Sequence, residues 1–389
     1  MKISKNILKN KEKKSDSIFE PSYLENLKYP TPFFIFSREK IVDNYKQFKK
    51  LFPKSAVHYA MKANSEPELL SILKDAGSGF EVASKFELKI LHDLKVPPEK
   101  IIYGSSVKPA DHIQEFNKYG VNRFACDSFA ELEKIAVFAP GSKIYIRTVA
   151  NDSGSVFKFS SKFGVDIDMI IPLLKRSILL GLKPYGISFH VGSQASDSKA
   201  WANMLSNLKS TIQELERMKI KLDIINIGGG FPCKYMSSEV VPDLDQIAKL
   251  ILNEYEKLPY KPDLILEPGR AIIADTSVAV ASIIARIERR GTTWLFLDAG
   301  CYNSFFETMA YQGSTRYVTT SIKHVDKSGE ALFAIAGPTG DSPDIISSET
   351  LLPADIDVGD KLILHSVGAY SLSVASSFNG FPKPKAYFI

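Results

Sequence analysis

The chain has 389 residues, of which 44% are hydrophobic and 24% charged, and its formal net charge is +5. This length exceeds one average domain, and the composition is that of a globular protein that can bury a sizeable core. The excess positive charge lies largely in the first 14 residues. It predicts a flexible basic tail over residues 1–22 and excludes a nucleic-acid surface, because no Arg-rich or aromatic-interleaved stripe follows.

The cysteines and the hydropathy of the chain argue against a structural zinc site and against a secreted or membrane protein. The three cysteines, Cys126, Cys233 and Cys301, lie far apart and form no CxxC pair. This pattern predicts a reducing compartment and no structural zinc. The chain begins without the apolar run of a signal peptide, and no apolar stretch reaches the roughly 18 residues that span a membrane. We therefore expect a cytoplasmic protein without membrane contact.

After the tail, residues 30–36 (PTPFFIF) predict a short strand, and residues 37–52 predict a helix capped by Ser37. Apolar runs and helix-like segments then alternate. The runs are 56–60, 79–82, 101–103, 123–125, 143–147, 185–189, 224–227 and 264–266. The helix-like segments are 66–75, 85–94, 110–119, 129–138, 169–180, 199–218 and 244–257. Eight strands that alternate with helices predict a (β/α)8 barrel over residues 38–275.

A doubly wound open sheet is the alternative arrangement. It fits less well, because polar and glycine residues follow many strands instead of gathering at one switch point. The residues just past the successive strands are Lys62, Ser84, Gly104, Asp127, Thr148, His190, Gly228 and Glu267. In a barrel all of them ring one mouth, where barrel enzymes keep their chemistry.

Beyond residue 275 the pattern changes to β-branched or aromatic runs separated by turns. These runs are 276–287, 294–297, 316–320, 331–336 and 361–365. They predict a C-terminal antiparallel β-domain, residues 276–389. We expect this domain to take in residues 23–37 as well, with the N-terminal strand as its first strand.

The stretch SAVHYAMKAN places Lys62 just past the first barrel strand. Behind a hydrophobic strand, desolvation would lower the pKa of the lysine and give a nucleophilic amine near pH 7. A solvated lysine on a strand-to-helix loop is the ordinary alternative, and the stretch by itself favours it. The motifs further along the chain favour the chemical interpretation.

Two of these motifs follow later strands. His190 in SFHVGS fits a hydrogen-bonded core histidine equally well, but the glycine and serine after it indicate a loop shaped for a ligand. Gly228, Gly229 and Gly230 follow the strand IINI, and their lack of side chains lets backbone N–H groups line a phosphate. Turns also use glycine, and Pro232 argues against the start of a dinucleotide-binding helix.

The motif LEPGR holds Glu267 and Arg270 one turn apart. A structural salt bridge is the alternative, but the pair also suits a ligand with a protonated nitrogen at one end and a phosphate at the other. Together these motifs indicate pyridoxal 5'-phosphate. This cofactor needs a lysine that forms an imine, a flat group that covers its ring, glycines and an arginine that bind its phosphate, and a carboxylate that pairs with its ring nitrogen.

From about residue 30 to the end, the chain resembles the ornithine/diaminopimelate/arginine decarboxylases of fold type III. These enzymes use pyridoxal phosphate and combine an alanine-racemase-like barrel with a C-terminal β-domain. The motifs are YAMKAN, GFEVASKFEL, SFHVGSQ, INIGGGFP, LEPGR, GPTGDSPD and GAYSLSVASSFNGF. The last is close to the ornithine decarboxylase signature. Diaminopimelate decarboxylases typically carry Cys-Glu-Ser where this chain has Gly340, Asp341 and Ser342.

The resemblance implies a role for each matching residue. Lys62, His190 and Asp341 would be catalytic, with Lys62 bonding the cofactor as an imine and His190 stacking on its ring. Glu267 would pair with the pyridinium nitrogen. The remaining cofactor contacts would be Ser193, Gly228, Gly229, Gly230, Pro268, Gly269, Arg270 and Tyr370. Asp298 and Asp341 would receive the distal ammonium of a diamino acid, with Tyr370 also at the substrate.

The implied activity is decarboxylation of a basic L-amino acid, ornithine first and lysine second, to a diamine such as putrescine. In this family a second subunit contributes GPTGD, so the resemblance implies a homodimer with shared active sites. Racemisation fits poorly, because alanine racemases place an arginine, not a glutamate, against the pyridine nitrogen.

Gly340 departs from the family pattern. Ornithine decarboxylases usually have a cysteine there, the family's candidate for steering protonation. Another acid or water could take over, with Cys301, in the segment after Asp298, as one candidate. Turnover could be altered or absent, or a larger substrate could occupy the space. The last alternative points to a larger or conjugated amino acid from a siderophore or antibiotic pathway. A non-catalytic regulatory paralogue is the alternative from another functional class.

Overall fold

The computed structural model describes residues 17–158, 161–236, 239–310, 317–323 and 329–389. The chain divides into two compact units. The barrel unit comprises residues 44–233 and 240–271, and the sheet unit comprises the residues up to 43, 234–239 and 272–389. The predicted basic tail lies outside the described residues up to position 16. Its remainder is helical, with a 3₁₀ turn at Ser17–Phe19 followed by the helix Pro21–Glu25.

Eight parallel strands close into a barrel, which confirms the predicted fold class. In chain order, barrel strands 1 to 8 are Ala56–Ala60, Gly79–Val82, Ile101–Tyr103, Arg123–Cys126, Lys143–Thr148, Lys183–Phe189, Ile224–Asn226 and Asp263–Leu266. The last strand pairs with the first through Ile265 and Ala56. Because helices cover such strands, they appear in the sequence as short apolar runs without alternation.

Helices lead into barrel strand 1 and connect the successive barrel strands, and they lie close to the predicted segments. They are Arg38–Leu51, Pro67–Asp75, Lys85–Asp93, Ala110–Tyr119, Phe129–Phe138, Ile170–Leu179, Ala200–Arg217 and Leu244–Tyr255. Ser37 caps the first of them, accepting a hydrogen bond from the backbone N–H of Lys40 at 3.2 Å. Helix Ala200–Arg217 shows the general pattern: Trp201, Leu205, Leu208 and Ile212 are buried along one face.

A short antiparallel ribbon interrupts the alternation between strand 5 and the helix after strand 6. Ser155–Phe157 pairs with Ser193–Ala195, so the ribbon places Ser193 directly beyond strand 6. The ribbon was not predicted, because both segments are only three residues long and carry no apolar alternation.

His58, on barrel strand 1, is buried, and neither ring nitrogen has a hydrogen-bond partner among the described residues. Burial, with smaller contributions from Arg123 and Lys100, lowers the pKa of His58 to about 3. The unfolded chain therefore binds this proton more tightly than the folded one. Stability from this group is complete above the ordinary histidine pKa and is lost as pH falls towards 3.

We expect the free energy of unfolding to fall by about 2 kcal/mol between about pH 7 and pH 5 because of this histidine alone. His58→Gln keeps a neutral polar side chain that does not titrate, so its urea unfolding curves should lose this part of the pH dependence. If the variant and the wild type showed the same pH dependence of stability, His58 would not be its source.

The sheet unit contains a mixed sheet of eight described strands. They are Phe33–Phe36, Ser277–Arg289, Thr292–Leu297, Thr319–Ser321, Glu330–Ala336, Ile345–Pro353, Lys361–His365 and Lys385–Phe388. As predicted, Phe33–Phe36 joins this sheet, antiparallel to Ser277–Arg289. Two pairings are parallel, whereas the sequence predicted an antiparallel domain: Phe33–Phe36 with Lys385–Phe388, and Thr292–Leu297 with Glu330–Ala336.

Other differences in this unit concern its polar strands. Ile345–Pro353 and Lys385–Phe388 were not predicted, because exposed polar residues interrupt their apolar runs. Arg316, part of the predicted run 316–320, lies outside the described residues. The remaining helices are Arg270–Ile273 and Phe306–Ala310. Across the described residues, every helix is too short or too polar to traverse a lipid bilayer.

Candidate active site

Lys62 lies in the 3₁₀ turn Met61–Ala63, which directly follows barrel strand 1. Its Nζ lies 3.7 Å from Oε2 of Glu81, a buried carboxylate on strand 2, and its side chain is 44% exposed. The predicted burial of Lys62 behind the strand is therefore wrong. The turn lifts the side chain to the open mouth of the barrel, where a carboxylate faces the ammonium.

A cavity of about 230 Å³ lies at this mouth. It brings together three predicted site residues, Lys62, His190 and Glu267, which follow strands 1, 6 and 8. Charged and polar side chains that were not singled out from the sequence also line it, namely Glu81, Tyr145, Arg147 and Ser188. Each of them lies on a barrel strand. The sequence contained a signal for the charged ones, because a charged residue within an apolar barrel strand needs a partner inside the barrel.

Glu267 has a raised pKa, so its carboxyl group can hold a proton near neutral pH. Burial, followed by the negative charge of Glu81, raises the pKa of Glu267 to about 7. A hydrogen bond from Nδ2 of Asn226 to Oε1, at 2.6 Å, acts in the opposite direction. Asn226 is itself oriented, because its Oδ1 accepts the backbone N–H of Gly228 at 2.9 Å. The glycine triplet thus holds the amide that positions the acid.

His190 has a defined tautomer and stays neutral. Its Nδ1 accepts the backbone N–H of Gly192 at 3.0 Å, which places the ring proton on Nε2. Burial, with smaller contributions from Lys62 and Arg147, lowers the pKa of His190 well below its ordinary value. The residue therefore presents a flat, uncharged ring to the cavity.

The glycine triplet leaves no space for side chains. A Cβ on Gly228 would lie 2.3 Å from the carbonyl oxygen of Phe189, and one on Gly230 would lie 2.3 Å from that of Gly192. Both glycines also have positive φ, at 67° and 94°. A Cβ on Gly229 would lie 2.5 Å from the carbonyl oxygen of Glu267. Only glycine fits this close approach between the ends of strands 6, 7 and 8.

Arg270 is buried. Its Nε donates to Oγ of Ser193 at 3.3 Å, and its guanidinium packs over the ring of Phe157 at 5.0 Å. A guanidinium presents several N–H donors in a fixed geometry that suits a phosphate group. Pro268 and Gly269 close the same loop onto the Lys62 turn: Ala60 N–H donates to the Pro268 carbonyl at 3.2 Å, and a Cβ on Gly269 would lie 2.9 Å from Cβ of Ala63.

These features fit pyridoxal phosphate. The Arg270–Ser193 pair and the glycine triplet suit its phosphate, and the Glu267 acid suits its ring nitrogen. Lys62 offers an amine for its aldehyde, and His190 offers a flat face for its ring.

Three predicted site residues, Asp298, Asp341 and Tyr370, belong to the sheet unit. The Asp298 carboxylate accepts the backbone N–H of Ser282 at 2.9 Å, and burial raises the pKa of Asp298. Asp341 is exposed and accepts a hydrogen bond from the Tyr302 hydroxyl, which raises the pKa of Tyr302 to about 12. Tyr370 adopts a left-handed backbone conformation, with φ at 53°.

Cys301 is a poor candidate for the proton donor. It is buried in the sheet unit, where its Sγ lies 3.1 Å from Oγ1 of Thr308 and 3.4 Å from the carbonyl oxygen of Ile345. Burial raises the pKa of the Cys301 thiol to about 12. A thiol held this strongly protonated is a weak acid at neutral pH.

Asp344 is a further residue that the sequence did not single out. It is buried, and its carboxylate accepts the backbone N–H groups of Cys301 at 2.7 Å and Thr339 at 3.1 Å, together with the Thr339 hydroxyl at 2.6 Å. These bonds brace the loop that carries Gly340 and Asp341. A Cβ on Gly340 would meet no described atom within 4 Å.

Comparison with known proteins identifies similar chains. The family model described as "Pyridoxal-dependent decarboxylase, pyridoxal binding domain" matches residues 38–274. Lysine/ornithine decarboxylase from Selenomonas ruminantium is 33% identical, over 90% of this chain and 88% of that protein. Ornithine decarboxylase from Rattus norvegicus is 29% identical, over 92% of this chain and 80% of that protein.

A crystal structure of lysine/ornithine decarboxylase from Vibrio vulnificus, complexed with putrescine, superposes with a TM-score of 0.85. It is 28% identical and covers 93% of this chain and 95% of its own. The similarity in sequence and in fold thus extends over nearly the whole chain.

Proposed function

The chain belongs to the family of pyridoxal-dependent decarboxylases, and from this premise we propose that it removes the α-carboxyl group of a basic L-amino acid. Ornithine is the first candidate substrate and lysine the second, and the product is a diamine such as putrescine. The observation that carries the proposal is the meeting of Lys62, His190 and Glu267 in one cavity at the barrel mouth.

In this proposal each residue has a definite task. Lys62 holds the aldehyde carbon of pyridoxal phosphate, and the buried Arg270 with Ser193 and the glycine triplet holds the phosphate. The bound cofactor supplies an electron sink for the electrons left by departing CO2. Glu267, with a pKa near 7 and a fixed orientation, keeps a proton at the ring nitrogen. His190 covers the ring face, and Glu81 balances the charge of Lys62.

Asp341 and Asp298 are proposed to receive the distal ammonium of the substrate. Two anions around one cation favour a basic side chain, because only such a substrate offsets the desolvation of the carboxylates. Asp341 is the more accessible of the two, because its side chain is exposed whereas Asp298 is partly buried. Asp344 supports Asp341 by bracing its loop.

The direct test is incubation of the purified protein and pyridoxal phosphate with carboxyl-labelled ornithine and lysine. We expect labelled CO2 and the matching diamine from at least one of them. Absence of both products, together with absence of bound cofactor, would favour the non-catalytic paralogue instead.

The proposal includes a cytoplasmic homodimer, working in polyamine biosynthesis, whose active sites combine Lys62 of one copy with Asp341 of the other. Mixing inactive Lys62→Ala with inactive Asp341→Ala subunits would then create one intact site in each mixed dimer. We expect recovery of about one quarter of wild-type activity after subunit exchange, because half the dimers are mixed and each has one intact site of two. No recovery, despite mixed dimers seen by native mass spectrometry, would place both residues in one copy.

Gly340 favours a second candidate function, decarboxylation of a larger or conjugated amino acid. The open space at its Cβ position lies next to Asp341, the proposed ammonium acceptor. Gly340→Cys should fold normally, since a Cβ at this position meets no described atom within 4 Å, and should reduce turnover only of substrates that use this space. Equal turnover of conjugated substrates by wild type and Gly340→Cys would argue for ornithine or lysine.

A further inference from the structure

A buried ion pair lies beneath the loop that follows barrel strand 3. Lys108 is 1% exposed and Glu131 3% exposed, and Nζ lies 3.0 Å from Oε1. The proposed reaction uses neither group. Apolar residues of similar volume often stabilise a fold as well as a buried ion pair does, because the pair must be desolvated. The pair therefore needs an explanation other than stability.

The hydrogen bonds of this pair converge on residues 104–108. Nζ of Lys108 also donates to the backbone carbonyls of Ser105, Ser106 and Ala125, at 2.9, 3.3 and 2.6 Å. The backbone N–H of Lys108 donates to Glu131 at 3.1 Å. One ammonium thus ties the loop to strand 4 and to the helix that follows it.

The same loop forms a wall of the cavity that contains Lys62. Gly104, Ser105 and Ser106 line this cavity together with Glu81. A Cβ on Gly104 would lie 2.3 Å from Oε1 of Glu81, so the loop backbone lies directly against that carboxylate. A shift of the loop would therefore move Glu81, which faces the Lys62 amine at 3.7 Å.

We infer that Lys108, paired with Glu131, is a positioning residue that fixes this loop and thereby holds the Glu81 carboxylate against Lys62. The inference rests on the proposed function, which makes Lys62 the residue that holds the cofactor. A buried hydrogen-bond network whose donors all have acceptors is rigid. Reaction rates depend on placing the reacting groups to within about 1 Å, so a rigid loop favours turnover.

The test compares Lys108→Met with a matched control, Lys49→Met. Lys108→Met removes the cation, while Lys134 remains 2.8 Å from Glu131, so the buried carboxylate keeps a counter-ion. Lys49 also donates to a backbone carbonyl, that of Ser55 at 2.5 Å, but just before strand 1, at the opposite end of the barrel. If Lys108→Met does not fold, the double variant K108M/E131M, which removes both charges, takes its place.

Three quantities are measured for wild type and both variants. They are amide hydrogen exchange of residues 104–108 without cofactor, the dissociation constant of pyridoxal phosphate, and kcat and KM separately. For Lys108→Met we expect about tenfold faster loop exchange, about tenfold weaker cofactor binding and about tenfold lower kcat, with KM within about twofold of wild type. Lys49→Met should match wild type in all of them.

The possible results distinguish the positioning role of Lys108 from the proposed decarboxylase function. An active wild type whose Lys108→Met variant keeps wild-type cofactor affinity and kcat overturns the positioning role and leaves the proposed function intact. A wild type that neither binds pyridoxal phosphate nor releases CO2 overturns the proposed function, and this inference with it.

Discussion

Replacement of Lys62 by alanine is expected to abolish decarboxylation, with kcat falling by about three orders of magnitude or more. The side chain offers the only amine that the cavity brings next to Glu81 among the described residues. Without it the cofactor loses its covalent attachment, although the phosphate pocket of Arg270 and Ser193 stays in place. Cofactor binding should therefore weaken but persist.

The measurement pairs single-turnover CO2 release with borohydride trapping and peptide mass spectrometry. In the wild type the pyridoxyl group should be found on Lys62. Lys89→Ala is the matched control, because Lys89 is a solvated lysine on the helix Lys85–Asp93, where it pairs with Asp93 at 2.9 Å. A pyridoxyl adduct on another residue of the wild type, or full activity of Lys62→Ala, would contradict the central assignment.

Replacement of Glu267 by glutamine is expected to lower kcat by about a hundredfold and to change KM by less than about threefold. Glutamine keeps the shape of the side chain but cannot hold a proton at the ring nitrogen. Glu256→Gln is the matched control, since the Glu256 carboxylate is largely exposed and lies 3.9 Å from its partner Lys261. Normal kcat in Glu267→Gln would remove Glu267 from the mechanism.

The same substitution is expected to stabilise the cofactor-free protein. The pKa of Glu267 is raised to about 7 in the folded state, so the folded chain binds this proton more tightly than the unfolded chain. The wild type therefore loses stability as pH rises from the ordinary glutamate pKa through 7, by up to about 3 kcal/mol. Glu267→Gln lacks this loss, so its melting temperature near pH 8 should exceed that of the cofactor-free wild type.

The barrel could be predicted from the sequence because each of its elements has a local signal. Short apolar runs ended by a polar or glycine residue predicted the strands, and Lys62, His190 and Glu267 were recognised as the residues just past them. Their meeting in one cavity follows from barrel closure alone. Motifs whose spacing reflects a single loop, such as the glycine triplet, were equally accessible.

The remaining features depend on contacts between distant segments. Glu81 becomes part of the cavity because strand 2 lies beside strand 1, and Asn226 matters because its amide reaches Glu267. The exposure of Lys62 depends on the space across the barrel mouth, which a local hydropathy pattern does not encode. The strand Ile345–Pro353 has a polar centre and is defined by its pairing with Glu330–Ala336.

The pairing of Phe33–Phe36 has a consequence for synthesis on the ribosome. These four apolar residues are fully buried, yet their partners Ser277–Arg289 and Lys385–Phe388 are translated more than two hundred residues later. Throughout that interval the segment is an unpaired, aromatic strand edge, the type of surface that aggregates or recruits chaperones. The nascent chain thus carries an unpaired apolar segment until the residues of both partner strands have been made.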